Sequence, residues 1–297
     1  MIGYVNKRLP FGLRCSPTLL LLTSYKILID EPEPDHKIRY IKNMLYQGIY
    51  MDNGCISFNS SEELLEAYKL LPVIFNKFKF DIQQVYCNDE LVQNKVNIDF
   101  PDDVKTESEV KLLGMLWDRN TDMLYNDKIN LNPKAVTKRQ ILASIASQYD
   151  IFNFQCPMMN RARLFMQDLQ YKKEIGWDDK ISDVDINLWS NIVKQANSTE
   201  PIKVKRMVGK GDDEYRLICC TDASNSIYGI VMYIQNFRTN EISFLCSKNR
   251  LVDRKLRTIP ELELSAVLYM APNVGHGSWP VLSWTFFTCF EVPFIFI

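Results

Sequence analysis

Thr221-Asp222-Ala223-Ser224 and Ile259-Pro260-Glu261-Leu262-Glu263-Leu264 frame the segment with the clearest strand and helix patterning. Between and around them, Tyr215 to Thr221, Tyr228 to Gln235 and Ile242 to Lys248 read as three consecutive strands. Each is rich in β-branched and aromatic residues and bounded by polar turn residues. A helix follows from Pro260 to about Met270, and Pro260 suits its first turn, where no amide hydrogen is needed. This order predicts a mixed α/β (α+β) fold, with Asp222 near the middle of a sheet and Glu263 aimed across it from the helix start. The plainer alternative is an acidic turn and an exposed helix face.

Upstream, Gly209 to Asp213 is charged and glycine-containing and marks the best domain boundary. Before it, Thr137 to Phe152 predicts a helix from the three- and four-residue spacing of Ile141, Leu142, Ile145, Ala146 and Tyr149. Further helices are predicted from about Pro157 to Lys173 and Ser182 to Ala196. Their tryptophans, Trp177 and Trp189, read as core residues. Val110 to Trp117 and Met123 to Ile129 suggest a hairpin around Asp118-Arg119-Asn120-Thr121, and Asn97 to Ser108 a loop. Ser60 with Glu63 forms a capping box opening a helix interrupted or kinked at Pro72. Thr18 to Ile29 is apolar enough for a buried helix.

Gln47 to Phe58 predicts two short strands around Asp52-Asn53-Gly54, because Asn-Gly accepts positive φ cheaply. Asp52 then projects from a rigid hairpin tip. Such a placement suits two-metal chemistry, in which carboxylates hold divalent ions against an attacking oxygen and a leaving phosphate. An ordinary turn with no function is the alternative, since Asp and Asn are common turn residues.

Bulk properties narrow the classes. The 297 residues suffice for about two domains, and 46% apolar with 24% charged residues is globular composition. A net charge of -1 provides no global attraction to nucleic acid, so any such contact is local. Eight scattered cysteines without a C-x-x-C pair, beside two histidines, do not make a zinc cluster. With no secretory pattern at Met1, they read as reduced thiols in a cytoplasmic or nuclear setting. No Asp-Thr-Gly or Asp-Ser-Gly occurs and neither His36 nor His276 offers a partner for a cysteine, so peptidase chemistry is not expected. The tail from Pro272 to Ile297 is aromatic with Glu291 its one carboxylate. Its apolar run is short for a membrane span of about 20 residues.

Local basic clusters supply candidate phosphate contacts. Lys248, Arg250, Arg254, Lys255 and Arg257 surround Asp253, and Lys138 and Arg139 open the helix at Thr137. A solvated charged surface is the alternative for both groups.

Leu9-Pro10-Phe11-Gly12-Leu13 with Ser16-Pro17, Tyr50-Met51-Asp52-Asn53, Leu113-Gly114-Met115-Leu116-Trp117-Asp118, Thr137-Lys138-Arg139-Gln140-Ile141-Leu142 and Ile259-Pro260-Glu261-Leu262-Glu263-Leu264 occur in one order. In that order they resemble the Pol polyprotein of Pao/BEL-type retrotransposons, over nearly all of Met1 to Met270. The resemblance implies a partial reverse-transcriptase palm over 1–96 and a primer-grip hairpin, thumb and linking helices over 97–208. It implies an incomplete ribonuclease H-like domain over 209–271 and leaves 272–297 as an atypical tail. Asp52 is implied as a palm metal ligand, and Asp222 with Glu263 as a ribonuclease H pair. Magnesium is the implied cofactor, and the implied partners are an RNA/DNA hybrid or primer-template and other Pol segments.

Departures from the family pattern qualify this. Asn53 stands where a second aspartate belongs, and Gln84-Val85 where a Lys-Trp pair belongs. The first palm strand and the third ribonuclease H aspartate have no counterpart in the sequence. Two readings follow: a Pol fragment inactive as an isolated chain, or a non-catalytic nucleic-acid-binding remnant.

Overall fold

The computed structural model describes residues 12–29, 34–50, 53–82, 84–99, 108–207, 213–253, 257–275 and 294–296. Helices alternate with antiparallel sheets, an α+β arrangement, and the chain divides into two compact units. One comprises Met1–Ser108 with Gly209–Gly211 and Cys289–Ile297; the other comprises Glu109–Val208 with Asp212–Thr288.

The first unit opens with α1 (Ser16–Ile29), whose apolar run is only partly buried: Ile27 and Leu28 enter the core while Leu19 and Leu22 are exposed. Helix α2 (His36–Gly48) has no counterpart among the sequence-based expectations. Asp35 caps it, its carboxylate accepting from the Lys37 and Ile38 amides at 2.8 and 3.3 Å, and Ile41 and Leu45 carry its buried face. Strands β1 (Ile49–Tyr50) and β2 (Asn53–Ser57) pair with Tyr50 opposite Asn53, which moves Asn53 and Gly54 out of the expected turn and into a strand. Gly48 is required here, because a Cβ would lie 2.0 Å from the Cys55 carbonyl oxygen.

Helix α3 (Ser61–Asn76) starts at the expected cap: Ser60 Oγ accepts from the Glu63 amide at 3.2 Å, and Glu63 reaches back to the Asn59 amide. It runs unbroken through Pro72, which lies on its exposed side, where solvent can meet the freed carbonyl. After β3 (Tyr86–Cys87), α4 (Glu90–Asp99) occupies ground expected to be loop from Asn97 onward. Leu45, Leu64, Leu71 and Val92, all fully buried, form the centre of this core. Strand β11 (Phe294–Phe296) pairs antiparallel with both β2 and β3.

The second unit begins with a meander, β4 (Glu109–Leu112), β5 (Met115–Asp118) and β6 (Met123–Tyr125), extended by β7 (Val204–Lys205). The expected single strand over Val110 to Trp117 is therefore two strands, divided at Leu113 and Gly114, which take φ of 49° and 89°. Asp118 caps the next turn, bonding Thr121 Oγ1 at 2.7 Å, and those bonds hold its carboxyl below the usual range. Three helices follow: α5 (Lys138–Ala146), shorter than expected, α6 (Cys156–Tyr171) and α7 (Asp183–Asn197). Thr137 and Ser182 cap α5 and α7. Trp189 is fully buried and stacks on Phe165 at 5.7 Å, as its core assignment requires; Trp177 is exposed instead.

Last comes the sheet β8 (Tyr215–Ala223), β9 (Ile227–Asn236) and β10 (Ile242–Leu251), in the order β10-β9-β8, with α8 (Ile259–Gly275) packed over β8 and β9. Leu262 and Ala266 turn inward onto Tyr228, Val252 and Ala223. The linker expected at 209–213 lies outside the described residues except Asp213, whose carboxylate pairs with Arg238 at 2.7 Å. Among the described residues no helix is long and apolar enough to cross a membrane.

Candidate metal centre and nucleic-acid interface

Asp222 sits one residue before the end of β8. The register places it opposite Gly229 of β9, which in turn lies opposite Asn249 of β10. Directly paired residues project to the same side of a sheet, so Asp222 and Asn249 share one face with bare backbone between them. Asn249 is anchored to α6, donating to Asn160 Oδ1 and accepting from Arg163 Nη1 at 3.2 Å. A side chain at Gly229 would press on Asn249, its Cβ falling 3.3 Å from the Asn249 Cβ. Asp222 is exposed, and one of its oxygens accepts from the Ala223 amide at 2.8 Å. Ser224 closes the turn to β9, its hydroxyl oxygen accepting from the Ile227 amide at 3.1 Å.

The helix start carries the Glu261 half of a capping box over Thr258-x-x-Glu261. Glu261 accepts from the Thr258 amide at 2.7 Å, and that bond holds its carboxyl below the usual carboxylate range. Glu261 is thereby committed to the cap. Glu263 is exposed next to the inward-facing Leu262. Asp222 and Glu263 thus stand on packed elements, but strand alternation turns Asp222 to the opposite side of β8 from Ala223, which contacts the α8 layer.

Lys248 and Arg250 lie opposite Ile230 and Tyr228, which pair in turn with Thr221 and Ala223. They therefore project from the α8 face, away from Asp222. Arg257 is exposed and approaches Asp253 at 3.5 Å. Arg254 and Lys255 lie outside the described residues, as does Asp52, although its flanking residues Tyr50 and Asn53 are paired in β1 and β2. Lys138 is buried at 5% exposure, and its ammonium donates to the Lys172 and Ile175 carbonyls at 2.8 and 2.7 Å. Arg139 makes a two-pronged contact with Asp178 at 2.7 and 2.9 Å, both side chains exposed. Lys138 and Arg139 of α5 are thus engaged in internal contacts, while Lys248 and Arg250 of β10 are not buried.

A polar junction lies between β6 and α6. Asp150 accepts from Asn126 Nδ2 and from the Phe154 and Gln155 amides at 2.5, 2.8 and 2.9 Å, and burial pushes its carboxyl up. Nothing in the spacing singles out these residues; they converge only after folding.

Residues 137–276 match the family model of the Pao retrotransposon-like RNaseH-like domain. That stretch is just under half of the chain, and over it the chain is similar to the Pao-type domain. Among solved structures it is similar to the foamy viral protease-reverse transcriptase in complex with RNA/DNA hybrid. The likeness has 15% identity and a TM-score of 0.50, covering 91% of this chain and 32% of that one. At that identity it establishes the shared fold. No curated protein matches. The α+β fold class expected from the sequence is borne out, and the expected Pao-type likeness is found over residues 137–276.

Ribonuclease H-like and reverse-transcriptase families generally use divalent metals. Magnesium demands near-octahedral oxygen coordination and a converging set of acids. Among the described residues no group of three or more His, Cys, Asp or Glu side chains is placed to hold an ion. Asp222 and Glu263 by themselves do not fit a magnesium centre.

Proposed function

We propose that this Pao-type Pol region is a hybrid- or primer-template-binding segment of an ancestral RNA-directed DNA polymerase with ribonuclease H, inactive as an isolated chain. The observation that carries this reading is the separation of chemistry on the β8-β9-β10 sheet. Asp222 faces one side, and Lys248 and Arg250 face the other together with α8. Cations at a sheet rim, here the exposed Arg250 and the half-buried Lys248, can neutralise phosphates of a duplex without reading sequence. The pair Asp222 and Glu263 would hold magnesium only if a further acid joined them, and Asp52 would be a palm ligand under the same condition. Other Pol segments are the natural source of such groups.

The deciding experiment uses the whole chain and a fluorescent RNA/DNA hybrid. Binding should weaken steeply with salt and survive Asp222→Ala and Glu263→Ala, with neither primer extension nor hybrid cleavage in magnesium. Magnesium-dependent cleavage lost in Asp222→Ala, or primer extension lost in Asp52→Ala, would restore the enzymatic reading. Absence of salt-sensitive binding would remove the nucleic-acid reading altogether.

A further inference from the structure

A cavity of about 340 Å³ opens in the first unit between α2, α3 and Phe58, the residue that follows β2. Its floor is apolar, since Ile41 of α2, Phe58 and Ala67 of α3 are all buried there. Helical spacing sets the mouth. His36 and Tyr40 stand one turn apart on α2, and Glu63 and Glu66 one turn apart on α3, so each pair lines the opening from one helix face. An apolar cavity of about 150 Å³ already holds benzene, so this one has room for a ring and a short chain.

The charges at the mouth are unequally matched. Lys37 donates to Glu66 across the two helices, and that pair cancels itself. Glu63 has no basic partner among the described residues: its side chain accepts from the Asn59 amide at 3.2 Å and meets no cation. Burial, and then the Glu63 charge, push the Tyr40 phenol up, as befits a ring beside an unneutralised carboxylate. One negative charge is thus left over at the rim of an apolar floor.

We propose that this cavity binds a primary amine carrying a compact apolar body. The body covers Ile41, Phe58 and Ala67. The ammonium sits at the mouth between the Glu63 carboxylate and the Tyr40 ring, where the charge and the ring face both attract it. A carboxylic acid of the same shape is repelled by Glu63, and Lys37 does not compensate because Glu66 holds it. A neutral molecule gains only the floor. Two sources present this chemistry, a free small amine and the N-terminal residue of a peptide with an apolar side chain, and the ammonium beside an apolar stem is common to both.

Titration of phenethylamine into the whole chain, followed by amide chemical shifts, tests the proposal. A probe of this size should bind with a Kd of about 1 mM, with the shifts concentrated at residues 36–41 and 58–67. Glu63→Gln should weaken it about tenfold or more. Glutamine still accepts the Asn59 amide, so the helix start is kept, and circular dichroism verifies the fold. Tyr40→Leu, at an exposed position, should weaken it about threefold. 3-Phenylpropionate, the acid of matching shape, should not bind. The amide of Phe-Ala-Ala separates the sources: binding tighter than phenethylamine, and lost on N-acetylation, supports a peptide N-terminus, and weaker binding supports a free amine. The proposal is overturned if phenethylamine at about 10 mM leaves those residues unshifted. Equal binding of 3-phenylpropionate, or a folded Glu63→Gln that binds like wild type, overturns it as well.

Discussion

Lys138→Met separates a structural lysine from a phosphate-binding one. Lys138 opens α5, yet its ammonium is turned inward, 2.8 and 2.7 Å from the carbonyls of Lys172 and Ile175, just past the C-terminus of α6. A cation there bonds carbonyls at and just beyond the helix end and complements the negative end of its dipole. Methionine keeps the apolar stem but removes the charged donor from the Ile175 carbonyl and leaves the Lys172 carbonyl only its bond from the Ile175 amide, in a site where residue 138 is 5% exposed. Hydrogen bonds to charged groups contribute about 1.5–3 kcal/mol, so a loss of about 2–4 kcal/mol is expected. In urea this lowers the unfolding midpoint of the second unit by about 1 M, given slopes of a few kcal/mol/M. The fluorescence of buried Trp189, in the same core, reports it. Hybrid binding, measured by anisotropy where the variant is folded, should keep the wild-type salt slope, whereas Lys248→Gln should reduce that slope by about 1. The reasoning fails if Lys138→Met unfolds within about 0.5 kcal/mol of wild type while its salt slope falls by about 1.

Further outcomes follow from other contacts. Arg206 is 1% exposed and grips Asp122 at 2.7 and 2.8 Å, and Asp122 also accepts from Trp117 Nε1 at 2.9 Å. Arg206→Met should cost about 3–5 kcal/mol, and combining it with Asp122→Asn should cost clearly less than the sum of the two, read from a double-mutant cycle. Gly48→Ala forces a Cβ against the Cys55 carbonyl, so near-ultraviolet circular dichroism and amide exchange should show α2 separated from β2 in the first unit; unchanged protection there would refute the clash. Burial opposes ionisation of Asp185, but bonds from Lys172 at 2.7 and 2.8 Å and from Ser182 prevail and depress its carboxyl. Its stabilising contribution is therefore fully present above its unfolded value of about 3.9 and disappears as pH falls through the lowered folded value. The stability gap between wild type and Asp185→Asn should hold from pH 7 to about 5 and shrink below about 4; a gap that grows on acidification contradicts the assignment.

Local signals in the chain were legible wherever hydrogen bonding is local. Ser60, Thr137 and Ser182 cap their helices because a short hydroxyl three residues before an amide satisfies it with no help from elsewhere. The strands of the last sheet and their closing helix were equally clear, since alternation and helical periodicity are properties of neighbouring residues. Errors came where a turn was hidden in an apolar run. Leu113-Gly114 divides two strands because Tyr149, 35 positions downstream, packs its ring against the glycine, which leaves no room for a Cβ there. The α2 helix was missed although Asp35 offered a cap, because its buried face includes Lys42, a polar residue that masks the period.

Covalent neighbours alone carried the resemblance to the family, the element order of the last sheet and the choice of Asp222 and Glu263 as candidates, because motifs and periodicity need nothing else. Tertiary structure alone decided that Lys138 is a core residue, that Arg139 is tied to Asp178, and that Asp222 and the Lys248–Arg250 pair occupy opposite faces. Each of these depends on partners far away in the chain. A cation's role is set by whichever acceptor or solvent the folded backbone brings to it, and spacing along the chain carries no record of that.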